Sequence, residues 1–145
     1  MTYQHTQKLP ENIVTAATVG GIALGLTPPG WILRLCILGI LGTAGAMMQS
    51  LTVDIDSTQI NLSFGQNIVK KTFSLRDIAS AKAIRTTPLQ GWGIHWLGNG
   101  WLYNIYGLDA VEILFTNGKR VYIGTDEPEN LTAAINQRLE LYGRT

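Results

Sequence analysis

Hydrophobic and polar positions divide the 145-residue chain into two regimes. From Asn12 to Val53, a run of 42 positions, the sole charged side chain is Arg34. Within it, "IVTAATVGGIALGL" (Ile13 to Leu26) and "WILRLCILGILGTAGAMM" (Trp31 to Met48) are almost wholly apolar. Between them "TPPG" supplies two prolines and a glycine, which stop a helix. The pattern predicts a transmembrane helical hairpin over residues 10–50, with its turn near 27–30 and residues 1–9 as an N-terminal tail. Crossing a bilayer takes about 20 apolar residues. The second segment reaches that length by continuing to about Leu51, and the first approaches it if Pro10 occupies the opening turn. Small residues recur at Ala17, Gly21 and Gly25 and at Gly39, Gly42 and Gly45, the pattern that close helix packing in lipid requires.

From Leu51 onward the period changes to two. In "LTVDIDSTQINLSF" a four-residue DSTQ loop pairs Ile55 with Ile60, Val53 with Leu62 and Leu51 with Phe64, so that every apolar side chain falls on one face. Further strands are expected around Ile68 to Phe73 and Ile78 to Arg85. In "AVEILFTNGKRVYIG" a three-residue loop, Thr116 to Gly118 with Gly118 left-handed, pairs Ile113 with Val121 and Val111 with Ile123. A two-residue loop would mix the faces. The last segment reads as a helix: Asp126 as cap, Pro128 in the first turn, Glu129 completing a capping box, and Leu131, Ala134, Ile135, Leu139 and Tyr142 forming one apolar stripe. Six or seven short antiparallel strands closed by a helix, over residues 51–145, describe a small curled sheet or open barrel.

Between these hairpins lies "GWGIHWLGNGW", with three of the four tryptophans. Trp92, Ile94 and Trp96 alternate with Gly91, Gly93 and His95, and Trp101, Tyr103 and Ile105 repeat the pattern. Three readings stay open at this point: rings filling the core, rings at the headgroup level of a membrane, or a ligand groove or subunit contact made by Trp92, His95, Trp96 and Trp101.

Charge and chemistry narrow the function. A net charge of +1 argues against a nucleic-acid partner. The lone Cys36 leaves no disulfide within one chain. Asp54 and Asp56 share a strand face, yet alternation already demands polar residues there. His95 has no metal-ligating neighbour in sequence, and no nucleophile motif or phosphate-cradling loop occurs, so neither enzyme, metal nor cofactor is expected. Lys8 precedes the apolar stretch and Lys70, Lys71 and Arg76 follow it, whereas the connecting loop has no Lys or Arg. This places both termini in the cytoplasm.

The stretches "INLSFG", "FSLRDIASAKAI", "GWGI" and "YNIYGLDAVEILFTNGKRVYIGTDEPENL", with the terminal helix, resemble the bacterial pleckstrin-homology-like domains, in particular inner-membrane proteins that place a two-helix hairpin before one such domain. The resemblance implies a partly open β-barrel capped by a helix, and a role in binding or assembly without a reaction. The leading expectation is a protein-interaction module, tethered to membrane lipids through the hairpin and engaging a protein partner or copies of itself. The alternative is recognition of anionic headgroups through Lys70, Lys71 and the tryptophans, and a third is a small-ligand site in the barrel mouth with His95 as its polar group. "DSTQ" stands where phosphoinositide-binding relatives carry basic residues, which argues against inositol lipids.

Overall fold

The computed structural model describes residues 2–25 and 30–143. Its strands are β1 (Tyr3–Lys8), β2 (Ser50–Ile55), β3 (Gln59–Phe64), β4 (Val69–Ser74), β5 (Ile78–Arg85), β6 (Gly93–Trp96), β7 (Trp101–Asn104), β8 (Asp109–Phe115) and β9 (Arg120–Gly124). The helices are α1 (Glu11–Gly25), α2 (Trp31–Met48) and α3 (Pro128–Gly143). The strands form two open sheets, one in the order β1-β2-β3-β4 and the other β5-β8-β9-β7-β6. Leu51, Ile55, Ile60, Leu62 and Phe64 of the first sheet meet Tyr103, Val111, Ile113 and Ile123 of the second in one core, which Ile105 after β7 and Leu131 and Ile135 of α3 complete.

Both hairpins fold in the register that a single apolar face demands. Leu51 pairs with Phe64, Val53 with Leu62 and Ile55 with Ile60. Ile113 pairs with Val121 and Val111 with Ile123, and Gly118 takes φ +80°. In the first loop the Asp56 carboxylate accepts hydrogen bonds from the backbone N–H groups of Thr58 at 2.7 Å and Gln59 at 2.9 Å. These bonds, that from Thr58 foremost, hold its carboxyl below the usual carboxylate range. The folded state therefore favours the ionised form. That stabilisation is present above the unfolded carboxyl's pKa and is lost as pH falls through the folded one. Asp56→Asn is expected to melt below the wild type at neutral pH, with the gap closing in acid. A gap in melting temperature that stays constant with pH would show that charge plays no part.

Three expectations are corrected. No closed barrel forms among the described residues. Between β4 and β5 a 3-10 turn, Leu75–Asp77, carries the chain to the other sheet without a ladder, and β7 runs parallel to β9, which leaves β6 as a free edge. The parallel pair depends on Gly100, where a Cβ would stand 2.6 Å from the Arg120 carbonyl oxygen.

Nor does the transmembrane helical hairpin stand. At 15 residues α1 is about 22 Å long, short of the ~30 Å that a bilayer core needs, and α2 alone passes for length and composition. The predicted turn lies outside the described residues except for Gly30. Close packing through small residues is not found: α1 and α2 border a cleft of about 600 Å3, and a Cβ added at Gly21, Gly39, Gly42 or Gly45 would meet nothing within 4 Å. Ala17 lines the same cleft, and Gly25 ends α1.

The supposed N-terminal tail, finally, is β1, paired with β2 from Tyr3↔Ile55 to Lys8↔Ser50. Both helices are thus an insertion between two neighbouring strands. The inward residues of β1 are Tyr3, His5 and Gln7: the Gln7 side-chain amide donates to the Tyr106 carbonyl at 3.0 Å and His5 Nε2 meets the Asp126 carboxylate at 2.6 Å, whereas the buried Tyr3 hydroxyl and Gln7 Oε1 find no hydrogen-bond partner among the described residues. Asp126 is therefore engaged by His5 at the start of α3. Burial, with Glu127 and Asp126 adding to it, pushes the Tyr3 hydroxyl up to about 12.

A candidate binding cleft between the sheets

The 3-10 turn Pro88–Gln90 begins the tryptophan stretch, with the Thr87 N–H donating to Gln90 Oε1 at 2.8 Å. His95 Nε2 meets the Gln90 carbonyl oxygen, so the ring is spent on holding this turn against β6. A tight turn closes β6 on β7, where the Leu97 N–H donates to the Gly100 carbonyl at 2.8 Å and Gly98 has φ +89°.

The stretch divides between core and surface. Leu102, Tyr103 and Ile105 are buried, whereas Trp92, Trp96 and Trp101 remain 48%, 55% and 46% exposed. Trp96 and Trp101 are opposite each other across the two strands, edge to face at 5.9 Å between centroids. Trp92 instead leans on Tyr106 at 5.3 Å.

Between the free edge of β4 and the second sheet lies an open cleft of about 1380 Å3. Its floor is aromatic: Phe73 stands 6.0 Å from Tyr103 and 5.7 Å from Phe115. Burial pushes the Tyr103 hydroxyl up from its ordinary value, so it stays protonated at neutral pH. Trp96 and Trp101 extend the floor to the surface. Lys71, on the inward side of β4 with Phe73, and Lys119 at the β8–β9 hairpin bring positive charge to the lining, and Asp77 is its one acid, whereas Lys70 and Arg120 border the cleft with their side chains on the outer sides of their sheets. Lys71 Nζ lies 5.8 Å from the Phe73 ring centroid, and Arg120 also reaches Glu112 at 4.0 Å.

The structure thus brings Lys71, Trp96 and Trp101 together in one cleft, leaves Lys70 at its border with the side chain on the outer face of β4, and leaves Trp92 and His95 outside its lining. Sequence reasoning missed Phe73, Phe115, Lys119 and Arg120. A signal existed for the last two, since they directly follow the Asn-Gly turn whose register was readable, but nothing in the sequence places that turn opposite β4. Asp54 and Asp56 are separated in role: Asp54 lines a polar groove on the outer face of the first sheet, and Asp56 is held by its own loop. Among the described residues no three His, Cys, Asp or Glu side chains stand close enough to hold a metal ion. The cleft offers shape, apolar surface and positive charge, which suit binding. Compared with known protein families and with curated proteins, the sequence matches none, so the pleckstrin-homology-like resemblance rests on its own quoted motifs.

Proposed function

We propose that this protein is a membrane-anchored, non-enzymatic interaction module that holds its two-sheet body at a bilayer surface through α2. The observation that carries this reading is the complete lack of burial along α2. Trp31 is 72% and Ile40 68% exposed, and Ile32, Leu33, Leu35, Ile37, Leu38 and Leu41 are exposed beside them. At about 1.5–3 kcal/mol for fully burying each large apolar side chain, and with a little over half of their surface exposed, these eight leave roughly 7–13 kcal/mol of burial unrealised in water. That rivals the ~5–15 kcal/mol net stability of a whole domain, and lipid is the environment that recovers it.

The body's attachment agrees. Lys8 pairs with Ser50 at the helix bases, and the neighbouring turn after β3 exposes Ile68 beside Lys70. Apolar and basic residues thus share the end from which α2 leaves. β1 and β2 flank the two inserted helices and pair with each other, so this segment enters and leaves the bilayer on one face, the side where the body sits, which we assign to the bacterial cytoplasm. The free edges of β4 and β6 and the half-exposed tryptophans support assembly with a protein partner or a second copy. Anionic-lipid recognition is favoured by a separate observation, the gathering of Lys71, Lys119, Trp96 and Trp101 in one cleft.

Alkaline carbonate extraction of membranes from cells expressing the full chain tests the anchor. The protein should remain with the sedimented membranes. Quantitative release into the supernatant would overturn the reading.

A further inference from the structure

We propose that the cleft between β4 and the second sheet takes up an anionic membrane lipid, with an acyl chain on the aromatic floor and the headgroup between the lysine walls. The inference rests on the anchor reading, which supplies the lipid, and on three features of the cleft itself.

The first is charge complementarity. Lys71 and Lys119 make no ion pair among the described residues, and the single acid of the lining, Asp77, can balance only one of them. An occupant with one or two negative charges satisfies this rim, whereas a zwitterion brings its own positive charge into it.

A second feature is the floor. Trp96 and Trp101, half exposed beside the buried rings of Phe73 and Tyr103, offer apolar surface that a water-soluble anion such as free phosphate would leave uncovered. At about 1380 Å3 the cleft also exceeds the ~300–1,000 Å3 typical of small-ligand sites, so there is room for a chain as well as a head.

Position is the third. Val69 pairs with Phe64 and Phe64 with Leu51, one residue after Ser50 at the base of α2. The Val69–Lys71 end of the cleft is therefore the end nearest the bilayer, and a lipid can enter without its chain crossing water.

The test uses the full chain with Trp31→Phe and Trp92→Phe, which leaves Trp96 and Trp101 as reporters. It is reconstituted into phosphatidylcholine nanodiscs containing a minor share of phosphatidylglycerol, with bromine placed mid-chain on one lipid or the other at constant composition. Bromines on phosphatidylglycerol should quench the tryptophans several-fold more, per bromine, than those on phosphatidylcholine. Lys71→Glu with Lys119→Glu should abolish that excess. Equal quenching per bromine in the parent protein overturns the proposal. So does salt-sensitive enrichment of phosphatidylglycerol without excess quenching, which would mean headgroup contact at the surface alone. Failure of the chain to enter nanodiscs would sink the anchor reading instead. The cleft is then tested in solution with short-chain brominated phosphatidylglycerol against its phosphatidylcholine counterpart, where absence of selective quenching overturns the proposal separately.

Discussion

Replacing Ile37 and Ile40 with lysine is expected to release the chain from membranes. The two side chains lie near the centre of α2, one turn apart, and both are exposed in the folded protein. A lysine at the centre of an inserted helix costs about 2.5–3.5 kcal/mol on insertion scales, so the pair costs roughly 5–7 kcal/mol. At 1.4 kcal/mol per tenfold, this shifts membrane partition by a factor of about 10³–10⁵. The same substitutions touch no core residue, so the melting of the two-sheet body should change little. If instead the double variant stays with carbonate-washed membranes as the wild type does, α2 is not the anchor. An altered melting profile would show that α2 packs on protein.

The second large effect is expected from Gly65→Ala, at the joint between α2 and the sheet. Gly65 has φ +50°, and the two residues that follow, Gln66 and Asn67, are left-handed as well. A Cβ here would lie 2.8 Å from the Met47 Cα and closer still to the Ala46 carbonyl oxygen, in the last turn of α2. The backbone penalty is about 1–2 kcal/mol and overpacking adds about 1–3 kcal/mol, so a loss of roughly 2–5 kcal/mol is expected. Because the clash is with main chain, the neighbour has no flexible side chain to move aside. Chemical denaturation in detergent measures the loss, with Gly118→Ala as control. Gly118 has φ +80° but open space around it, so it carries the backbone penalty alone. Equal losses for the two variants would mean that the close approach of α2 to the turn contributes nothing.

Legibility in the sequence followed how local the determining interaction was. The β2–β3 and β8–β9 registers were readable because in each a short loop and a period-two pattern admit one pairing with all apolar residues inward. The apolar stripe of α3 was readable for the same reason, with Leu131 and Ile135 reaching the core. By contrast β1 has no apolar pattern to read. His5 and Gln7 face inward and bond to Asp126 and the Tyr106 carbonyl, partners 121 and 99 residues away. An edge strand held by its backbone and by distant polar partners leaves no periodic trace in its own six residues.

The candidate site shows the same division. Alternation put Trp96 and Trp101 on strands flanking a turn, and adjacency put Lys70 with Lys71. Whether those pairs meet depends on strand order, which no local pattern encodes. The order is set by the parallel pairing of β7 with β9 and by the chain's departure from the first sheet at Leu75–Asp77. By itself, then, the sequence determined the apolar α2 stretch, the two hairpins and the closing helix, because each is specified by periodicity and turn chemistry within about twenty residues. Only the tertiary structure decided that the strands stop short of a barrel, that Tyr3–Lys8 completes a sheet around the inserted helices, and that a lysine of β4 and one of the β8–β9 hairpin line the same aromatic cleft. Those outcomes depend on the packing of residues far apart in the chain, where burial and polar satisfaction are settled by the whole fold at once.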